Sequence, residues 1–383
     1  MLKRDLLRAF RCTVGASAFA LATMVGGHAA MAQDYVIGVV ASMSGPSASF
    51  VKSVVEGVEA AVKDWNDAGG HKGQKISLRI LDDESVAATA VTVYRKLTDD
   101  PQIKVVIACS PAQSLVAIKA IADEFKTPTA GSATLDALGV PAAKYFFRTL
   151  PGTESYMRTM VTWAAKRGYK TIATLNPSSV TGQAEAALVK RLAEEAGLKV
   201  VAAERYNDSD TDFTAQLVNI RNARPDFFYS GAIGGPTVLI FKQIKQLRLT
   251  MPLAIHSSAF NPTFYSAIGG IEQAEGVYTP IERGGLGNAL AGNAGEMYKR
   301  ASAILGRPAT NLNTAGWDTA MLVRAVLAKS DASRDSIRDA FEATKDLPVI
   351  GGVISYTPDN HGGKDERSIA VGQLVKGAFV EAN

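Results

Sequence analysis

Cysteine is nearly absent. The 383 residues hold two, Cys12 and Cys109, and Cys12 falls within an N-terminal leader pattern. A single thiol in the remaining chain permits no internal disulfide, so the core has to stabilise the protein unaided. Histidine is almost as scarce, at four residues: His28, His71, His256 and His361. His71 and His361 sit in glycine turns, and His256 alone lies at a predicted strand end. One histidine without an orienting acid is not a catalytic triad. Neither a G-x-S-x-G elbow nor a G-x-x-x-x-G-K-[ST] phosphate loop occurs, and Gly231 to Gly235 reads as a strand-to-helix turn. Asp82 and Asp83 have no histidine or third acid at metal-ligand spacing and read as solvated or capping acids. The composition implies neither a metal nor a cofactor.

Charge of one sign is also lacking. Lys and Arg total 41 against 37 Asp and Glu, a formal charge of +4. Lys3, Arg4, Arg8 and Arg11 against Asp5 account for most of that, which leaves about +1 beyond the leader and no basic patch for nucleic acid. Beyond the leader, no apolar run reaches the roughly 20 residues that span a bilayer.

What the first residues do have is a basic start, an apolar small-residue run from Val14 to Val25, and Ala30-Met31-Ala32, a small-x-small cleavage pattern. They predict a signal peptide over 1–32, cleaved near Ala32, and a periplasmic mature chain. Cys12 lies well before the cleavage site, which argues against a lipid anchor. The roughly 350 remaining residues suit two domains.

Strands and helices then alternate almost without interruption, the pattern of an α/β fold with parallel sheets. Val36–Ala41, Ile76–Leu81, Val105–Ala108 and Pro128–Ala130 read as strands, separated by helices at Phe50–Asp67, Val86–Thr98 and Ser114–Phe125. A second series runs from a helix at Thr153–Arg167 to a strand at Leu253–Ile255. Helices follow at Ala294–Leu305, Ala315–Ala328 and Arg334–Thr344. The tail, Gly352–Tyr356 and Ser368–Val375 around the turn Asp359–Gly363, reads as a hairpin or crossover. Two series of similar size predict two doubly wound lobes, with a hinge at Pro151-Gly152. Arg148 beside it is predicted to form an interlobe salt bridge, with contact to a ligand carboxylate as the alternative.

In such sheets ligands bind at the carboxyl ends of the strands. Three short loops of the first series lie there: Ser42–Phe50, Cys109–Ser114 and Gly131–Thr134. Helix-start N–H groups with Ser and Thr hydroxyls form a neutral carboxylate receptor. Helix capping is the alternative role for Ser110, Ser114, Ser132 and Thr134.

One stretch is more specific. Asn66-x-x-Gly69-Gly70-x-x-Gly73-x-x-Ile76-x-Leu78-x-x-x-Asp82-Asp83 resembles the first-lobe motif of the periplasmic leucine/isoleucine/valine-type binding proteins, the solute receptors of ABC importers. The resemblance implies the type I periplasmic-binding-protein fold, two Rossmann-like lobes joined by three hinge crossovers. It puts lobe 1 at 33–152 and 280–366 and lobe 2 at 153–279 and 367–383. It further implies a monomer that closes on a small hydrophobic amino acid and delivers it to permease subunits. Carried onto this chain, the ligand-binding positions are Phe50, Ser110, Gln113, Ser132, Ala133, Thr134, Thr181, Ile233, Ser257 and Trp317.

The second lobe departs from the pattern. Thr181 stands where the family has tyrosine and Ile233 where an aromatic is frequent, and Ser257 stands where the amino-acid receptors carry an acid for the ligand ammonium. A desolvated ammonium without an anionic partner is costly. An apolar or aromatic carboxylate lacking the amine therefore fits these loops. Trp317 suits either a cleft wall or the core. A periplasmic sensor, or a hydrolase using His256, is the alternative function.

Overall fold

The computed structural model describes residues 34–207 and 209–382. The leader reading, with its cleavage near Ala32, lies outside the described residues. The first strands and helices are β1 (Tyr35–Ala41), α1 (Ala48–Asp67), β2 (Ile76–Asp82), α2 (Ala87–Thr98), β3 (Val106–Cys109), α3 (Ala112–Ala122), β4 (Thr129–Gly131) and β5 (Phe146–Arg148). The five strands pair in parallel in the order β2-β1-β3-β4-β5. Burial on both faces explains the near-continuous apolar spelling of the central strands β1 and β3, while the edge strand β2 is mostly half-buried and carries Ser77 and Arg79. In β1, Ile37, Val39 and Ala41 enter the core beneath α1, and Val40 enters the opposite core beneath α2 and α3.

The second series is α4 (Thr153–Lys166), β6 (Thr171–Pro177), α5 (Val180–Glu195), β7 (Lys199–Tyr206), α6 (Thr214–Ala223), β8 (Phe227–Ser230), α7 (Gly235–Gln246), β9 (Leu253–Ile255), α8 (Pro262–Ile268) and β10 (Tyr278–Glu282). The chain then returns to the first core with α9 (Gly292–Leu305), α10 (Asn311–Ala328) and α11 (Arg334–Glu342). The small strands β11 (Leu347–Val349), β12 (Gly352–Thr357) and β13 (Asn360–Gly363) form a sheet of their own. Finally β14 (Ile369–Val375) and β15 (Ala378–Glu381) complete a seven-stranded sheet ordered β15-β14-β10-β9-β8-β6-β7. Of the two readings of the tail, the crossover holds and the hairpin does not. β12 pairs with β11 and β13, whereas β14 pairs antiparallel with β10 and β15 in the other sheet.

The Asn66–Asp83 motif and the adjoining Trp65 hold both ends of β2 through backbone contacts. Asn66 donates through Nδ2 to the Ile76 carbonyl at 2.9 Å and accepts the Ile76 N–H at 2.7 Å, a side chain imitating a strand partner at the start of β2. Trp65 Nε1 donates to the Gly70 carbonyl at 3.0 Å. Gly70 has φ +70°, and a Cβ there would meet the Gln74 carbonyl oxygen at 2.0 Å, so only glycine fits. At the far end of β2 the two acids clamp the first loop. Asp82 Oδ1 accepts the N–H groups of Met43, Ser44 and Glu84 at 2.9, 3.2 and 2.8 Å. Asp83 is wholly buried and accepts the Ser42 hydroxyl at 2.5 Å and the Ser85 N–H at 3.0 Å, so it is not a solvated acid.

Where the chain passes between sheets, polar side chains lock it. Arg148 is buried and donates to the carbonyls of Gly362 and Leu135, both at 3.1 Å, and to Asp136 at 3.3 Å. The salt bridge expected between lobes therefore joins groups at the ends of β4 and β5. The buried cation that does link the two sheets is Lys364. Its Nζ lies 3.0 Å from Glu282 on β10 and 2.7 Å from Asp318 on α10. Asp318 also accepts the N–H groups of Ile350 and Gly351, each at 2.8 Å. Among the described residues no helix is long and apolar enough to cross a membrane.

Candidate ligand-binding cleft

The carboxyl ends of β1, β3 and β4 in one sheet and of β6, β8 and β9 in the other bear the loops singled out from the sequence. Ser110 follows β3 and Ser132 follows β4, with Ser114 one turn into α3. All three are buried, and none of their hydroxyls has a hydrogen-bond partner in the protein. Capping does not occupy them: the residue capping α3 is Pro111, which makes no side-chain bond. Thr134 is tied into the crossing by its carbonyl, which accepts from Thr153 N at 2.9 Å and Thr153 Oγ1 at 3.3 Å.

A cavity of about 40 Å³ is lined by Thr134, Thr153, Tyr156, Met157, His256, Ser257 and Pro280. It brings together Thr134 and Ser257 of the predicted positions. Phe50, 43% exposed, and Ile233, 48% exposed, are two of the large apolar side chains left open to solvent, at the starts of α1 and α7. Gln113 and Thr181 are exposed, Ala133 is half-buried against the α2–α3 core, and none of these lines the cavity. Trp317 is wholly buried in the core beneath α1, with Nε1 unpartnered, and lines no part of the cavity.

His256 is neutral near pH 7. Burial pushes its pKa down to about 4. Its Nδ1 accepts the Ser258 N–H at 3.2 Å and lies 2.8 Å from Ser258 Oγ, so the ring proton sits on Nε2. Its side-chain partner is a serine and not an acid. Cys109 is buried as well, and burial pushes its thiol up to about 12, far from a nucleophile. Among the described residues no group of His, Cys, Asp or Glu could hold a metal ion.

One polar residue escaped the sequence reading. Glu185 on α5 accepts Tyr229 OH at 2.9 Å and Asn176 Nδ2 at 3.0 Å through the same carboxylate oxygen. Burial pushes its pKa up to about 7. The available signal was its position four residues after Thr181, on the same helix face.

Comparison with known proteins agrees with this architecture. Residues 34–378 match the family described as periplasmic binding protein. Leu/Ile/Val-binding protein homolog 3 of Brucella melitensis is 25% identical over 348 residues, 89% of this chain and 92% of that protein. The leucine-, isoleucine-, valine-, threonine-, and alanine-binding protein of Pseudomonas aeruginosa is 29% identical over 222 residues, 57% of this chain and 59% of that protein. An extracellular ligand-binding receptor from Rhodopseudomonas palustris HaA2 has a similar crystal structure, with TM-score 0.77 and 25% identity, covering 91% of this chain and 99% of that one. With two doubly wound sheets, a cleft at their strand ends and a match over almost every described residue, the chain belongs to the periplasmic binding proteins of the type I fold, which are solute receptors and not enzymes.

Proposed function

We propose that the protein is the receptor of an ABC importer. It binds a small hydrophobic amino acid, or a related apolar or aromatic carboxylate, between the lobes and delivers it to permease subunits. The observation that carries this reading is the set of buried, unpartnered hydroxyls of Ser110, Ser114 and Ser132 at adjacent strand ends. An unmet buried hydroxyl costs about 1–3 kcal/mol, a cost that a bound carboxylate removes. The neutral His256 offers Nε2–H from the other sheet, so the carboxylate meets donors and no fixed cation. The names of the Brucella and Pseudomonas relatives support a branched-chain ligand.

The lobes are read as 33–152 with 280–366 and 153–279 with 367–383, moving about the three crossings. The present cavity of about 40 Å³ is far below the roughly 300 Å³ of ordinary ligand pockets, so a ligand enters by lobe opening. Phe50, Gln113, Ala133, Thr181 and Ile233 are read as rim positions brought to the ligand on closure.

A thermal-shift series with leucine, isoleucine, valine, phenylalanine, benzoate-type acids and 2-oxo acids tests the reading. A ligand that binds only the folded state raises stability by about 2.7 kcal/mol at a hundred times its Kd. The expected result is a shift with apolar carboxylates and none with the matching amides. No shift across the whole series would sink the proposal.

A further inference from the structure

The β9 loop offers the ligand no acid, yet the second sheet has one close by. Side chains alternate faces along a strand. Ile172 on β6, Phe227 and Tyr229 on β8, and Ala254 on β9 all enter the core beneath α4 and α5. By the same alternation Asn176, Gly231 and His256 stand in a row on that face at the ends of three adjacent strands, about 5 Å apart from strand to strand. Met157, which lines the cavity with His256, packs in the same core as Tyr229. Glu185 sits over this row. Its Oε1 is held by Tyr229 and Asn176, and a Cβ at Gly231 would meet it at 2.4 Å. Asn176 is 1% exposed, and its Oδ1 has no partner in the protein. An acid and an unmet carbonyl acceptor thus stand side by side, and both accept hydrogen bonds.

We propose that Glu185, with Asn176 Oδ1 beside it, is the acid of the cleft and binds the ammonium of an α-amino acid whose carboxylate rests on the first-lobe hydroxyls. The inference rests on the receptor reading above and narrows its ligand class to one that has the amine. It assigns to α5 the charge that Ser257 cannot supply. The small, side-chain-free surface of Gly231 leaves the carboxyl uncovered by its neighbour.

The titratable group that faces Glu185 from β8 is Tyr229, and Asn176 faces it from β6. The charges of α4 and of the rest of α5 satisfy one another instead: Arg158 with Glu154 at 2.5 Å and Glu195 at 3.0 Å, Arg191 with Glu154 at 3.0 Å and Glu195 at 2.6 Å. Burial holds the pKa of Glu185 up at about 7 against the bonds it accepts from Tyr229 and Asn176, and an ammonium ligand has to displace its proton.

The experiment is calorimetric titration of the mature protein and of Glu185→Gln with leucine, isoleucine, valine and phenylalanine and with their 2-oxo acids, at about pH 6 and pH 8. A group titrating near 7 predicts amino-acid affinity about tenfold higher at the upper pH. Glu185→Gln is expected to lose at least tenfold for the amino acids, to lose the pH dependence, and to keep its affinity for the 2-oxo acids. Amino-acid affinity unchanged in Glu185→Gln, or 2-oxo acids bound more tightly than amino acids by the unaltered protein, overturns the subsite and leaves the carboxylate receptor standing. If neither series binds the unaltered protein, the receptor reading falls and takes this one with it. Should the variant fail to fold, a flat pH profile in the unaltered protein overturns the subsite.

Discussion

At the scale of single residues, the proposed cleft presents groups that the fold leaves unsatisfied. Ser132 is the clearest. Its hydroxyl is buried without a partner, while its backbone N–H is held by the Ala108 carbonyl at 2.9 Å. Ser132→Ala therefore keeps the loop and removes only the hydroxyl. The ligand-free protein should melt at the same temperature or slightly higher, since an unmet buried group is lost. Carboxylate affinity should fall about 10- to 100-fold, the worth of one hydrogen bond to a charged group. A helix cap would behave otherwise, with about 1 kcal/mol of stability lost and affinity spared. Glu185 has a stability signature of its own. Its pKa is raised in the folded state from 4.5 to about 7, so the folded protein holds the proton more tightly than the unfolded chain. The cost of ionising it appears as pH rises from about 4.5 and is complete above about 7, roughly 3 kcal/mol at 1.36 kcal/mol per pKa unit. Glu185→Gln should lack that decline, so chemical denaturation at pH 8 should find it more stable than the unaltered protein, with the difference vanishing near pH 4. A variant no more stable at pH 8 would contradict this account.

At the scale of elements, α1 and α10 show how a sequence of small residues sets a crossing. A Cβ at Gly316 would meet the Val54 carbonyl oxygen at 1.9 Å, and one at Gly57 the Asn313 carbonyl at 2.0 Å. The two backbones touch, so neither glycine can grow a side chain without parting the helices. Gly316→Ala should cost about 3 kcal/mol or more, beyond ordinary overpacking because backbone and not a flexible side chain is struck. A melting temperature within a degree of the unaltered protein would refute it. The strong periodicity of α1, Val51 to Trp65, made that helix legible in the sequence, and the β/α alternation made both sheets legible. Short elements were not. β5 spans Phe146–Arg148, and β10 contains Pro280, which reads as a strand breaker. The chain tolerates Pro280 because β10 pairs with β9 only at Tyr278 and is elsewhere held by β14. Asn360–Gly363 looked like a turn for its Asn and glycines, yet it forms β13 against β12. In the cleft, the Ser loops could be read from their places after strands. For Glu185 the sequence offered only its spacing from Thr181, and the pairing of β6 with β8 is what reveals that it stands over Gly231.

At the scale of the whole molecule, the two sheets are joined through a buried charge cluster. Lys364 precedes the last crossing, Glu282 ends β10 in the second sheet, and Asp318 lies in the first core, so one ammonium holds all three. Burial works to lower the pKa of Lys364, but Asp318 and Glu282 outweigh it and hold it at about 12. Burial raises the carboxyl of Glu282, and Lys364 offsets only part of that. The cluster is stable as a set and not in parts. Lys364→Met would leave two buried carboxylates without the ammonium that now lies 2.7 and 3.0 Å from them, which should cost about 3–5 kcal/mol. Because the lysine pKa is raised in the folded state, its contribution is complete below about 10.5 and is lost as pH climbs through about 12. Denaturation midpoints followed from pH 9 to 12 should decline in the unaltered protein and run flatter in Lys364→Met. The combined replacement Lys364→Met, Glu282→Leu, Asp318→Asn separates charge from shape. If uncompensated charge is the cause, the triple variant regains most of the stability that the single one lost, since a buried ion set exchanges for a neutral one at little cost. Recovery of stability without recovery of ligand affinity would then locate the function of the cluster in setting how the two lobes meet. A triple variant as unstable as the single one would mean that these side chains act through packing and not through charge.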